Sequence, residues 1–298
     1  MPVEYREEPC SSALNRVRGM PFAWSLNPYM GCAHRCTFCY VRTFERRADR
    51  PSGERYGASI RVKTNVADVL RRELARASWS GETVVVGAAT DPYQPAEGRY
   101  RLTRACIDVF ADAANPFSLI TRGPMILRDL DLLVEASRRA TVHVTFSIPT
   151  LDTEIWRRTE PGTAPPRQRL RALRRLVDAG VDVGVGMAPI LPGLSDDPRL
   201  LAAVVREARA SGATGVWANV LYLKPGTKEH FLEALARDWP ELVPEYEELY
   251  LRRAYLSAEH TGPVRERVRA LARSHAVRDR RRVRLEPPPP PEQLALGV

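Results

Sequence analysis

From Asn65 to Leu223 the sequence alternates short β-branched runs with helical patterns, and this alternation restricts the fold more than any other feature. Asn65 precedes apolar residues at Val66, Val69, Leu70 and Leu74, the spacing of a helix with an Asn cap. Thr83 to Ala89 then reads as a buried parallel strand, ending in the turn-rich Thr90-Asp91-Pro92. Further helices are predicted from Thr103 to about Asn115, Ile126 to about Arg139, Pro166 to Asp178 (stopped by Gly180) and Pro198 to Ala210. Between and after them lie strands at Phe117 to Thr121, Val142 to Ile148, Val181 to Ala188 and Gly215 to Leu223. With a first strand near Phe22 to Asn27 there are six. Six βα units form either an open, partly closed barrel or a doubly wound sheet, and periodicity leaves both open. In either, ligands bind at the carboxyl ends of the strands.

A chain of 298 residues can bury a sizeable core, and 44% hydrophobic with 27% charged residues excludes disordered, collagen-like and coiled-coil classes. The longest apolar runs, Thr83 to Thr90 and Val181 to Leu191, fall far short of the roughly 20 residues of a membrane helix. The charged first residues carry no apolar signal region, so the chain is expected to stay in the cytoplasm. The boundaries expected are an N-terminal extension (1–21), a core (22–228), a helical region with a basic segment (229–286) and a Pro-rich tail (287–298). Helices are expected at Thr227 to Arg237 and from Glu241 to about His260.

The net charge of +9 is concentrated between Pro263 and Glu286, where nine arginines face only Glu266, Asp279 and Glu286. Such a stretch attracts DNA or RNA by counterion release, or is simply a solvated helix face. After Pro287 to Pro291, Gln293-Leu294-Ala295-Leu296 is similar to the start of the peptide by which bacterial repair proteins dock on the replication sliding clamp, without its terminal aromatic residue.

The chemistry centres on Cys32, Cys36 and Cys39, directly after the first strand in Asn27-Pro28-Tyr29-Met30-Gly31-Cys32-Ala33-His34-Arg35-Cys36-Thr37-Phe38-Cys39-Tyr40. Thiolates on one tight loop suit an iron–sulfur cluster, and three rather than four leave one iron open for a reacting ligand. The alternative is a structural zinc completed by His34. Cys10 and Cys106 have no partner spacing; Cys106, beside Ile107 and Val109, reads as core.

This C-x-x-x-C-x-x-C run, placed after the first of six strands, resembles the signature of the radical S-adenosylmethionine (SAM) superfamily. The resemblance implies a partial (β/α)6 TIM-like barrel with a C-terminal helical extension. It also implies a [4Fe–4S] cluster on Cys32, Cys36 and Cys39 whose open iron binds SAM. Reductive cleavage of SAM would yield a 5′-deoxyadenosyl radical that abstracts hydrogen from substrate, with flavodoxin or ferredoxin as electron donor. Further segments resemble the spore photoproduct lyase-like branch: Ala89 to Glu97, Ile120 to Arg122, Arg128 to Leu133, Phe146 to Ile148 and Ala188 to Gly193. By that likeness Phe38 packs near the adenine of the cofactor and Tyr40 is a further cofactor-binding residue. Thr90 and Asp91 meet the SAM amino group, and Arg122 and Ser147 meet its carboxylate or ribose.

The sequence departs from that branch at Ala89, where the lyase carries a hydrogen-donating cysteine, so thymine-dimer repair is not expected. Tyr93 and Tyr100 are radical relays or packed aromatics, and Glu97 is a ligand contact or a loop salt bridge. His143, His230 and His260 read as ordinary packed or solvated residues. Three function classes follow: a radical SAM enzyme on nucleic acid, one on a peptide or small molecule, and a nucleic-acid-binding protein with a structural Fe–S or zinc site.

Overall fold

The computed structural model describes residues 2–277. The strands are β1 (Glu4–Glu8), β2 (Leu14–Arg16), β3 (Trp24–Leu26), β4 (Tyr29–Met30), β5 (Ser59–Lys63), β6 (Val84–Val86), β7 (Phe117–Thr121), β8 (Val142–Ser147), β9 (Asp182–Ile190) and β10 (Val216–Val220). The helices are α1 (Val41–Arg47), α2 (Val66–Leu74), α3 (Pro95–Tyr100), α4 (Leu102–Asp112), α5 (Leu130–Arg139), α6 (Thr153–Thr159), α7 (Pro166–Asp178), α8 (Pro198–Ala210), α9 (Thr227–Asp238), α10 (Val243–Leu249) and α11 (Ala258–Ser274).

The main sheet has the order β10-β9-β8-β7-β6-β3-β2. Its six consecutive parallel strands are the six expected from sequence, with β2 antiparallel against β3 at one edge. Each parallel crossover carries helices, and alternation along the strands separates two faces. Val144, Phe146, Val183, Val185 and Met187 pack with Leu133, Leu170, Leu173, Leu201 and Val204 of α5, α7 and α8 into the main apolar core. The opposite face is small and polar. Register pairs Ser25, Val85, Ser118, His143 and Asp182 in one row, Ile120, Thr145 and Gly184 in a second, and Ser147, Gly186 and Trp217 in a third, which starts at the carboxyl end of β8 and meets β10 at its second residue. Because β10 and β2 lie at opposite ends of the strand order, the sheet remains an open, partial barrel.

Local chemistry explains most helix boundaries. Pro occupies the first turn of α7 and α8, and Asp152 and Asp197 cap α6 and α8 through their carboxylates. Asn65 departs from expectation. Its Oδ1 accepts the amide of Cys10 at 2.7 Å and its Nδ2 donates to the Cys10 carbonyl at 3.1 Å, so the side chain anchors the N-terminal segment and leaves α2 without a side-chain cap. Buried Glu73 does the same nearby, accepting from Ser12 Oγ, Ala13 N and Leu14 N. The first 21 residues are accordingly woven in: β2 joins the main sheet, and β1 forms a small sheet of order β1-β5-β4.

The single helix expected from Glu241 to about His260 is two. Tyr250 ends the first: its ring is buried, its hydroxyl donates to Leu221 O at 2.7 Å, and its carbonyl accepts Lys228 Nζ at 2.7 Å. α11 then runs through the first four arginines of the basic stretch, Arg265, Arg267, Arg269 and Arg273. The remaining basic residues from Arg278, the polyproline run and Gln293-Leu294-Ala295-Leu296 lie outside the described residues.

Candidate active site

The three cysteines sit on the loop between β4 and α1, at the carboxyl end of the first barrel strand. Cys32 and Cys36 are buried and Cys39 is half-buried. Four buried groups fix the loop's path. Gln94 grips both sides of Cys32, its amide donating to Gly31 O at 3.0 Å and its Oε1 accepting Ala33 N at 3.0 Å. Arg42 donates to Ser52 O and Gly53 O, both at 2.7 Å, and lies over the Tyr56 ring. The Tyr56 hydroxyl is 3.2 Å from Cys39 Sγ. Gly57 has φ +73°, and a Cβ there would lie 2.3 Å from the Cys32 carbonyl oxygen; only glycine fits.

Behind the loop, Asp91 gathers a buried knot. Its carboxylate accepts Thr121 Oγ1 (2.6 Å), Arg122 N (2.6 Å) and Tyr93 N (2.9 Å), and lies 3.4 Å from His34 Nδ1. Burial alone would raise the Asp91 pKa, but the His34 charge and these donors lower it to about 2. His34 is carried up to about 10: burial opposes its charge, but the charges of Cys32 and Asp91 favour it. Burial pushes the Cys36 and Cys39 thiols up. Cys32 differs, because His34 outweighs burial and brings it below the ordinary thiol value.

His34 lies between Asp91, 3.4 Å from its Nδ1, and Cys32, and among the described residues no three His, Cys, Asp or Glu side chains are gathered as for a single ion. A cluster needs a different arrangement, since each thiolate takes its own iron, and three thiols on one pinned loop, two of them buried and one half-buried, fit that requirement.

Around this loop the structure collects the residues singled out from sequence. Phe38 is buried with the Arg122 guanidinium 5.7 Å from its ring centre, and Tyr40 donates to Ala88 O after β6. Thr90 donates to Tyr29 O at 2.9 Å, while Asn27 accepts the amides of Ala89 and Thr90. Arg122 Nε bonds Glu160 Oε1 at 2.6 Å; Glu160 Oε2 in turn bonds Arg169, whose Nη1 donates to the Ser147 carbonyl at 2.8 Å. One buried carboxylate thus spans the buried Arg169 and the half-buried Arg122 and leaves a net positive charge beside Cys36.

Other candidates resolve as framework. Glu97 is fully buried and bound by Tyr29, Thr103 N, Arg104 N and Arg128, so it is a structural hub, not a ligand contact. Tyr93 is buried and donates to Asp129; Tyr100 packs on Tyr5 and bonds Glu7. Cys106 is core. Sequence reasoning missed Gln94, Asn27, Tyr56, Glu160 and Arg169. Only Gln94 carried a visible signal, as an amide inside the Thr90-to-Glu97 run.

The Radical SAM superfamily model matches residues 26–205, a stretch that takes in the cysteine loop and most of the barrel. The chain belongs to the radical SAM superfamily. It is therefore an enzyme of the class that works with a [4Fe–4S] cluster and SAM and draws electrons from a reductant such as flavodoxin or ferredoxin. An uncharacterised protein of Mycobacterium tuberculosis is 40% identical over 99% of this chain and 86% of its own length. One of Acidianus two-tailed virus is 30% identical over 76% and 75% respectively. Among solved structures, spore photoproduct lyase complexed with dinucleoside spore photoproduct superposes with a TM-score of 0.70 at 15% identity, over 91% of this chain and 79% of that one. The shared fold is that of a radical SAM enzyme with an open barrel. No helix among the described residues is long and apolar enough to cross a membrane.

Proposed function

We propose that this radical SAM enzyme abstracts hydrogen from a nucleic acid, with Cys32, Cys36 and Cys39 holding the cluster. The observation that carries the first part is the cysteine loop itself, pinned by Gln94, Arg42, Tyr56 and Gly57. When bound, the cluster supplies one-electron cleavage of SAM. The protein's own work is placement. Phe38 and Tyr40 would border the adenine side, and Arg122 and Ser147 stand where the carboxylate and ribose would lie. Thr90 and Asp91 shape the strand end facing the amino group; their side chains are already engaged within the protein, so their role is to hold that edge in position. The positive charge shared by half-buried Arg122 and buried Arg169 suits an anionic group beside Cys36.

Support for a nucleic acid comes from two directions. The lyase that shares this fold was crystallised with a dinucleoside photoproduct, and α11 carries Arg265, Arg267, Arg269 and Arg273. The same reading includes a cytoplasmic location and, through Gln293 to Leu296, a docking contact with a sliding clamp. With Ala89 in place of a donor thiol, the reaction differs from dimer repair. Two measurements test the substrate class. Affinity for DNA or RNA should fall linearly on a log–log salt plot. Deuterium placed in a substrate nucleic acid should appear in 5′-deoxyadenosine. Absence of binding at low salt would leave the peptide or small-molecule class.

A further inference from the structure

Arg42 and Arg35 carry positive charge into the cysteine loop, and among the described residues no carboxylate is paired with either. Arg42 is 2% exposed, and all of its acceptors are neutral carbonyls: Ser52 O and Gly53 O at 2.7 Å, and Cys36 O and Arg35 O at 3.4 Å. These bonds satisfy the donors of the guanidinium but leave its charge unpaired, and a buried unpaired charge is costly. The carboxylates of this region are engaged elsewhere: Glu45 with Arg50, Glu229 with Arg46, and Glu160 with Arg122 and Arg169. Burial draws the Arg42 pKa below its ordinary value; Cys39, Tyr56 and Cys36 oppose the shift, and Arg35 adds to it. Of the groups that oppose it, Cys39 and Cys36 are the ones that metal binding turns anionic. Arg35 adds a second charge of the same sign. Its φ is +52°, a conformation that glycine or asparagine adopts at less cost, so the residue is kept for its side chain. That side chain has its Nε buried without an acceptor, and its hydrogen bond to Gly57 O is 3.4 Å long.

We propose that Arg42, with Arg35 beside it, is the fixed counter-charge of the iron–sulfur cluster and raises its reduction potential. This rests on Cys32, Cys36 and Cys39 being the cluster's ligands. Reduction takes one electron from a low-potential carrier and no proton, so it adds a negative charge that a buried cation stabilises. The counter-charge is permanent, because arginine keeps its proton inside proteins, and burial limits its screening by salt. A unit charge buried around the cluster, at an effective dielectric constant near 20, shifts the one-electron equilibrium by about tenfold. This role is separate from the hold of Arg42 on the loop, which acts through hydrogen bonds to Ser52 O and Gly53 O.

The test is a redox titration of the full-length protein, reconstituted anaerobically with iron and sulfide and followed by electron paramagnetic resonance without SAM. R42K keeps the charge and loses the planar fork, whereas R42Q loses the charge. At any fixed potential the ratio of reduced to oxidised cluster in R42Q should be about tenfold below wild type, a shift of about 59 mV for one electron, and R42K should titrate close to wild type. A role confined to holding the loop predicts instead that both variants load less cluster at an unchanged potential. R35Q is the second arm, because its side chain has little hydrogen bonding for the fold to lose; it should load fully and shift in the same direction as R42Q. Thermal melts of the cluster-free variants confirm that each is folded, and R35Q decides the matter if R42Q takes up no cluster. If the loaded R42Q and R35Q titrate with wild type, or R42K shifts as far as R42Q, the counter-charge assignment is wrong and the cluster assignment stands. If wild type itself takes up no iron and sulfide, both fall.

Discussion

Gln94 is the clearest lever on the cysteine loop. It is fully buried, and one side chain satisfies both the Gly31 carbonyl and the Ala33 amide, the backbone groups on either side of Cys32. Gln94→Leu keeps the volume and removes both partners. Each buried backbone group left unsatisfied costs about 1–3 kcal/mol, so the pair costs about 2–6 kcal/mol. At roughly 2 °C or more per kcal/mol for a chain of this size, the melting temperature should fall by at least about 4 °C. Gln94→Glu keeps the acceptor for Ala33 but turns a buried carboxyl oxygen on the Gly31 carbonyl, so it should be at least as destabilising as Gln94→Leu at neutral pH. The assay is a thermal melt of the cluster-free protein together with iron and sulfide content after anaerobic reconstitution. Iron content should fall below wild type in both variants. A Gln94→Leu protein with an unchanged melt and full iron content would refute the claim that this side chain sets the loop.

Three further outcomes follow. Gly57→Ala should destabilise by about 1–3 kcal/mol, since φ is +73° and the Cys32 carbonyl blocks a Cβ; iron loading of this variant checks it. Tyr56→Phe removes the hydroxyl beside Cys39 Sγ and should make the cluster potential more negative, read by redox titration, because hydrogen bonds to sulfur ligands raise it. Burial would raise the Glu160 pKa, but Arg169 and Arg122 hold it below its ordinary value of 4.5. A lowered carboxylate stabilises the fold above that value and loses the contribution as pH falls beneath it. Glu160→Gln should therefore cost about 3–5 kcal/mol at neutral pH and flatten the acid limb of a stability–pH curve measured by denaturant titration.

How far these features were legible depends on whether their partners are local. The six parallel strands were readable because β-branched runs such as Val84–Val86 and helices such as α7 carry their period in consecutive residues. The cysteine loop was readable for the same reason. The small sheet was not: β1 is Glu4–Glu8, polar throughout apart from Tyr5, and pairs with a strand beginning at Ser59. Gln94 and Asn27 reach backbone groups more than sixty residues away, and nothing in a turn-rich run distinguishes a turn former from a long-range clamp. Glu97 was ambiguous because its four partners come from three separate segments. Asn65 shows the converse, a good capping residue by type that tertiary contact with Cys10 diverts.

The central claim is that the Cys32, Cys36 and Cys39 loop carries SAM cleavage. The direct measurement is 5′-deoxyadenosine by mass spectrometry after anaerobic reconstitution with iron and sulfide, then addition of dithionite and SAM. Wild type should form it and Cys36→Ala should not. A fully loaded wild-type cluster that forms no 5′-deoxyadenosine, or equal formation by Cys36→Ala, would contradict the account.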